Sequence, residues 1–267
     1  MGEDMTAAQD AIGPGRVALV TGGGSGIGEA VARRLAAEGG RVVVADIVTD
    51  AAAAVAGDIG GRALTLDAGD PEAWGPAVDG ILAEEGRLDL AHLNAGVTTQ
   101  ERDLLALTDE QYRRITRVNL DGVVFGARAA ARAMAAGGGG ALVATASMAG
   151  IIAFAPDPIY TTTKHAVVGF VRSAAASLGA HGITVNCLCP GIVDTPLVGP
   201  GRQMLIEAGY ALIPPEDIAD ALVTIVRGGG TGEAWACLAG RPPEPFAFAV
   251  PDMGSTRPSA PAGADGG

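Results

Sequence analysis

The chain has 267 residues, 48% of them hydrophobic, with a formal net charge of -12 and a pI near 4.6. That length makes one large domain or two small ones, with enough apolar mass for a substantial core. The 18 Lys and Arg form no basic run among 30 Asp and Glu, which excludes a nucleic-acid or anionic-membrane binder working through bulk charge.

The opening residues, MGEDMTAAQDAIGPG, are acidic and hold no apolar segment of the signal-peptide kind. Residues 1–15 are expected to be a flexible lead-in to a single domain over 16–240. Runs rich in Val, Ala and Leu at 17–21, 41–45, 63–66, 88–93, 141–145, 183–188 and 234–238 read as strands. Ala-rich stretches at 26–38, 71–85, 109–136, 160–180 and 215–227 read as helices. The strands are continuously apolar rather than alternating, as in a parallel sheet covered on both faces. Their alternation with helices predicts a doubly wound α/β fold. The uncharged stretch 133–156 contains four consecutive glycines at 137–140, so it reads as a loop and a buried strand, not a membrane span. Segment 199–210 breaks the rhythm and predicts a loop with a short helix. Beyond Gly240 the chain is rich in Pro, Ala and Gly, and 241–267 is expected to be a partly disordered tail, with nothing to pack from Ser255 on.

Cys187, Cys189 and Cys237 lack the spacing of a zinc site and read as small buried residues. Their sparse, odd number fits a reducing cytoplasm. His92, His165 and His181 form no triad or metal set, so structural or surface roles are expected of them and no metal is expected at all.

Chemistry enters with the first strand. VALVTGGGSGIGEA is a buried strand, a glycine turn and a helix start, with Gly22, Gly26 and Gly28 in the spacing G-x-x-x-G-x-G. Glycines there allow a tight turn and bring backbone N–H groups to a pyrophosphate at the helix N-terminus. The second strand ends at Asp46, 18 residues past Gly28, near the ~20 expected of an acid on the adenosine ribose. Ile47-Val48-Thr49-Asp50 and Gly24-Ser25 supply no cation for a 2′-phosphate, so NAD is favoured over NADP.

Further on, Tyr160 and Lys164 stand four apart, on one helix face. A carbinol gives up a hydride only as its proton leaves, so a base must reach the hydroxyl. A phenol near pKa 10 is a weak base at neutral pH, and a nearby ammonium lowers it. Ser147, 13 residues before Tyr160 at a strand end, can hydrogen-bond the reacting oxygen. The segments Val97-Thr98, 151–157 and 197–205 are expected to bound a mainly apolar pocket, with Ile152, Phe154 and Leu197 against an uncharged alcohol or ketone. Asp157 either faces that pocket or caps the catalytic helix.

These motifs, in order, resemble the short-chain dehydrogenase/reductases of the short single-domain type. They are Thr21-Gly-x-x-x-Gly-Ile-Gly28, Asp67, Asn94-Ala-Gly96, Asn119, Ser147, Tyr160-x-x-x-Lys164 and Pro190-Gly191 with Thr195. The likeness runs from about 17 to 238. It implies a Rossmann fold with a seven-stranded parallel sheet and helices on both faces. It implies catalysis by Asn119, Ser147, Tyr160 and Lys164, with Asn119 holding a water that links Lys164 to solvent. The dinucleotide site it implies comprises Thr21, Gly22, Ser25, Gly26, Ile27, Gly28, Asp46, Ile47, Asp67, Ala68, Asn94, Ala95, Gly96, Tyr160, Lys164, Pro190, Gly191, Ile192, Val193 and Thr195. The family often has a second Asn before Asn94 and an Asp-Gly-Gly near 236–240; here the residues are Leu93 and Ala236-Cys-Leu-Ala-Gly240. Lys164-His-Ala-Val-Val-Gly-Phe170, Cys189-Pro-Gly191 and Ile213-Pro-Pro215 are similar to the hydroxyprostaglandin dehydrogenase branch, which oxidises secondary alcohols with NAD.

The expected activity is therefore NAD-dependent interconversion of a secondary alcohol and a ketone. The alternatives are an NAD(P)H-dependent 3-oxoacyl reductase on carrier protein or CoA, and a non-catalytic dinucleotide sensor. The Ala-rich helices 109–136 and 160–180 fit a homo-oligomer, dimer or tetramer.

Overall fold

The computed structural model of the protein describes residues 6–249. Its apolar runs are strands because both faces of each central one are covered: Val17, Leu19 and Val20 in β1 (Val17–Thr21) are fully buried. The chain continues through α1 (Gly26–Ala37), β2 (Arg41–Asp46), α2 (Thr49–Ile59), β3 (Arg62–Thr65), α3 (Trp74–Glu85) and β4 (Leu90–Leu93). There follow α4 (Asp109–Thr116), α5 (Gly122–Ala136), β5 (Gly140–Thr145), α6 (Pro158–Gly179) and β6 (Ile183–Pro190). The described elements close with α7 (Arg202–Glu207), α8 (Pro215–Gly228), β7 (Ala234–Cys237) and β8 (Glu244–Pro245).

The strand order is β3-β2-β1-β4-β5-β6-β7-β8. Every pair is parallel except β7–β8. One apolar layer joins the sheet to α3, α5 and α6 through Trp74, Ile81, Met134, Val167 and Val171. The other joins it to α1, α2 and α8 through Val31, Leu35, Val55, Leu222 and Ile225. The α3–α5 contact is close: a Cβ on Gly126 would lie 2.5 Å from the Trp74 ring, so only glycine fits. Strand order reverses between β1 and β4, and ligands of such sheets bind outside the strands' carboxyl ends at that point.

The structure corrects the sequence reading in four places. An eighth strand, β8, pairs antiparallel with β7, so the sheet is not seven-stranded and wholly parallel. Residues 241–249 are thus part of the fold: Phe246 and Phe248 pack edge to face, and the Arg172 guanidinium lies 3.8 Å from the Phe248 centroid. The tail from Ser255 lies outside the described residues. A helix absent from the sequence reading, α2, buries Ala52, Val55 and Ala56 and ends on Gly60 at φ 63°. The stretch read as one helix over 109–136 is broken by a π-helical turn, Arg117–Asp121. Residues 6–15 do not behave as a loose lead-in: Ala8 and Ala11 are buried.

Among the described residues no helix is long and apolar enough to cross a membrane, and no group of three or more His, Cys, Asp or Glu is placed to hold a metal.

Candidate active site

β1 ends at Thr21, and the chain turns through Gly22 (φ 60°) and Gly26 (φ 55°) into α1. The turn is packed too tightly for side chains. A Cβ on Gly28 would sit 2.0 Å from the Gly22 carbonyl oxygen, and one on Gly24 would sit 2.7 Å from the Ala51 methyl and 3.0 Å from the Asp46 carboxylate. Ser25, the residue before α1, is extended and offers no side-chain cap, so the helix start presents backbone N–H groups to an anion.

Asp46 stands beside this turn. Gly24 N donates to its Oδ2 at 3.0 Å and Val48 N to its Oδ1 at 2.9 Å. A carboxylate has about four acceptor sites, so two remain for ribose hydroxyls. Ile47 and Val48 next to it are exposed. Asp67 is more committed: Gly69 N donates to its Oδ1, and Arg117 pairs with its Oδ2 at 2.7 Å. Ala68, also expected at the dinucleotide, is buried, and its carbonyl accepts from the Trp74 indole.

Asn94 carries the glycine turn from below. Its Nδ2 donates to the carbonyls of Thr21 and Gly22, while its own N and that of Ala95 donate to the Thr21 hydroxyl. Gly96 lies against the catalytic side: a Cβ there would be 3.5 Å from Asn119 Oδ1 and 3.6 Å from Lys164 Nζ. Above the turn, Gly191 N donates to Cys237 O, and Val193 bridges Ile213. This folds 190–195 back so that a Cβ on Gly26 would lie 3.0 Å from the Thr195 side chain. Pro190, Ile192 and Thr195 therefore share one end of the sheet with the turn.

Ser147 and Tyr160 come together. Ser147 leaves β5 extended and its Oγ accepts from Ala149 N at 3.1 Å, and its hydroxyl is near enough to the Tyr160 phenol to favour the ionised form. Lys164 is buried; its Nζ donates to the Thr145 carbonyl at 2.7 Å and lies 5.5 Å from the Tyr160 ring centroid. Burial pushes the Lys164 ammonium down to about 8. The expectation that Lys164 lowers the Tyr160 pKa is not met in this geometry. Burial pushes the phenol above its ordinary value, the nearby Ser147 hydroxyl pulls it down, and Asp157 and Cys189 push it up.

Asn119 sits in the π-helical turn, fully buried. Its amide is committed: Nδ2 donates to Val97 O and Thr163 Oγ1, and Oδ1 accepts from Val97 N. It clamps the loop after β4 to α6. Such turns arise where an extra residue is fitted into a helix, and they recur at functional sites.

Asp157 is the cap of α6, not a pocket residue, which corrects its assignment to the substrate. Its Oδ1 accepts from Tyr160 N and its Oδ2 from Thr99 N, both at 2.8 Å, with the side chain buried. The other residues expected at the substrate are exposed: Ile152, Phe154 and Leu197, with Phe154 edge-on to Tyr160 at 6.4 Å. Sequence reasoning missed Leu104, Leu105, Ile206 and Tyr210, which are also exposed apolar residues on loops or short helices at the same end. Four large apolar residues in two mostly polar loop segments were the available signal. His92 has a structural role: it is buried beside Thr145 with its Nε2 2.8 Å from the hydroxyl. His165 is exposed and bonds only its own helix, and His181 is exposed, as expected.

Comparison with known proteins gives these geometries a context. The short chain dehydrogenase family matches residues 16–205. Momilactone A synthase of Oryza sativa subsp. japonica is 40% identical over 206 residues, 74% of this chain and 74% of that protein. Cis-4-hydroxycyclohexanecarboxylate dehydrogenase of Sinomonas cyclohexanicum is 36% identical over 235 residues, 84% of this chain and 94% of that one. The crystal structure of 3-ketoacyl-(acyl-carrier-protein) reductase from Brucella melitensis complexed with NADH superposes with a TM-score of 0.80 at 30% identity, covering 85% of this chain and 98% of that one.

Proposed function

The chain belongs to the short-chain dehydrogenases, an oxidoreductase family that binds a nicotinamide dinucleotide, and on that footing we propose that it oxidises a hydrophobic secondary alcohol to a ketone with NAD. The observation that carries the reading is that Tyr160 is set beside both the Ser147 hydroxyl and a buried Lys164, whose Nζ lies 5.5 Å from the centroid of the phenol ring.

Bound NAD supplies the hydride acceptor. The turn that Gly22, Gly26 and Gly28 keep free of side chains would hold its pyrophosphate, and the open acceptor sites of Asp46 would hold its adenosine ribose. The alcohol oxygen takes its place between Ser147 Oγ and the Tyr160 phenolate. Tyr160 accepts the hydroxyl proton as the carbinol hydrogen leaves with its electron pair. Ser147 donates to the oxygen while it carries negative charge. Lys164, buried with its Nζ donating to the Thr145 carbonyl and 5.5 Å from the Tyr160 ring centroid, would hold the nicotinamide ribose beside the phenol. Asn119 keeps the wall of the site closed by fastening Val97 to Thr163.

Substrate class rests on the exposed apolar residues at the sheet's carboxyl end, Leu105, Ile152, Phe154, Leu197 and Met204. The relative named for cis-4-hydroxycyclohexanecarboxylate supports a cyclic alcohol. NAD over NADP rests on Asp46 and on the lack of a cation at 47–50. The 3-ketoacyl reductase likeness favours a second reading, reduction of an acyl thioester. A homo-oligomer belongs to the proposal too: a groove of about 600 Å³ between α5 and α6 is lined by Ala127, Ala131, Phe170 and Leu178 beside Arg128 and His181. A cytoplasmic site fits the three free, buried cysteines.

The test is initial-rate formation of reduced nicotinamide from a panel of cyclic and open-chain secondary alcohols, with NAD and NADP in parallel. Turnover with NAD is expected from the wild type. Tyr160→Phe is expected to lose about 100- to 10,000-fold in kcat, the range of a positioned general base. Faster reduction of an acetoacetyl thioester than oxidation of any alcohol would favour the second reading. Turnover with Tyr160→Phe at the wild-type rate would refute the mechanism.

A further inference from the structure

His92 is the fully buried polar side chain that the mechanism above does not use. It lies on β4, pointing to the same face as Thr145 on β5, with its Nε2 2.8 Å from Thr145 Oγ1. Thr145 Oγ1 in turn lies 2.9 Å from Asn94 Oδ1. Asn94 Nδ2 lies 3.1 Å from the Thr21 carbonyl and 3.4 Å from that of Gly22, the first glycine of the turn. Four groups therefore run in series from the core to the dinucleotide loop.

The direction of the series follows from its far end. Two carbonyls can only accept, so the Asn94 amide must present its NH2 to them and its Oδ1 to Thr145. Thr145 must then give its hydroxyl hydrogen to Asn94. What is left for His92 is to donate, so its hydrogen is on Nε2 and its Nδ1 is bare. The surroundings agree: Nδ1 is buried and has no hydrogen-bond partner among the described residues. The other tautomer would leave an N–H in that apolar place and two acceptors facing each other with no hydrogen between. Burial also holds the imidazole neutral, with its pKa pushed down to about 3.

We propose that His92 is a positioning residue for the dinucleotide loop: its Nε2–H donates to Thr145 and so fixes the orientation of the Asn94 amide that carries Gly22. The inference rests on the reading of the glycine turn as a dinucleotide cradle. Gly22 is held at φ 60°, and a Cβ on it would approach Asn94 Nδ2 to 3.2 Å, so the amide touches the turn directly. The series serves binding rather than the chemical step, because it ends on the phosphate side and not on Tyr160.

The experiment measures NAD affinity by fluorescence titration for the wild type, His92→Leu, His92→Gln, Thr145→Val and Thr145→Ser. Loss of one net hydrogen bond predicts about fivefold weaker binding for His92→Leu and Thr145→Val, with kcat at saturating NAD within about twofold. His92→Gln and Thr145→Ser, which keep a donor and a hydroxyl, are expected to recover most of the affinity. Equal affinity in all five proteins, with only the melting temperature reduced, overturns the proposal. If the wild type binds no dinucleotide, the functional reading falls and the inference with it; if it binds and the variants match it, the inference alone falls. Nitrogen-15 spectra of the wild-type imidazoles need no variant to fold. The Nε2-protonated form is expected for His92, and the Nδ1-protonated form overturns the assignment.

Discussion

Replacing Asp157 with alanine removes both acceptors that join the loop after β4 to the start of α6. The carboxylate receives Tyr160 N and Thr99 N, each at 2.8 Å, and it is buried. Losing a helix cap costs about 0.5–2 kcal/mol. Leaving a second buried N–H unpaired costs about 1–3 kcal/mol. The expected loss is about 3 kcal/mol, which lowers the melting temperature by about 6–12 °C for a domain of this size. Asp157→Asn keeps one acceptor oxygen and should recover about half of the loss, since its NH2 cannot accept. The same variant also removes a negative charge that pushes the Tyr160 phenol upward. The acidic limb of kcat/KM for alcohol oxidation should therefore move to lower pH in Asp157→Asn, a shift that a purely structural cap would not produce. Urea denaturation and a pH-rate series test the two halves. An Asp157→Ala protein within about 0.5 kcal/mol of wild type would refute the reasoning, because a surface substitution does no more than that.

Gly28→Ala places a methyl where the Gly22 carbonyl oxygen is only 2.0 Å away, so the turn must open. NAD binding should fall by at least about tenfold, the equivalent of 1.4 kcal/mol, and unchanged affinity by calorimetry would contradict the cradle. Because burial keeps Tyr160 protonated at neutral pH, log(kcat/KM) for oxidation should climb by about one per pH unit below its apparent pKa; a flat profile would exclude it as the base. His92 has its folded pKa near 3, below its ordinary value of 6.5. The unfolded chain therefore binds one more proton between those values, and stability is lost as pH falls through that window by about 1.4 kcal/mol per unit from this group. His92→Leu should flatten the acid side of the stability curve by that slope, and an unaltered slope would mean the histidine is charged in the fold.

The parts of the site that could be read from the chain are those whose chemistry is written in local spacing. Gly22, Gly26 and Gly28 are recognisable because a strand precedes and a helix follows them. Tyr160 and Lys164 are recognisable because four residues make a helical turn, and Asp46 because it ends a strand. What escaped reading depends on partners distant in sequence. Asp157 was legible as a local cap, but it becomes a loop anchor as well only through Thr99, 58 residues away. The His92 series needs Thr145, 53 residues on. The π-helical turn at 117–121 leaves no mark in an apolar period that continues through it, yet it is what buries Asn119. Helix α2 was lost because TDAAAAVAGDI is largely alanine, with too few large apolar residues to show a face.

The short strand β8 has a bearing on how the protein survives at high concentration. Without it, β7 would present the open rim of a sheet to solvent, and such rims recruit strands from other molecules. Two residues suffice to occupy it: Ala236 faces Glu244 and Trp235 faces Pro245, and Phe246 N closes the pair on Ala234 O at 2.7 Å. The new outermost strand is a poor template in its turn, since Pro245 has no N–H to give and Glu244 carries a charge. Deleting the chain beyond Gly240 would thus uncover a sticky border, and precipitation would be the first symptom.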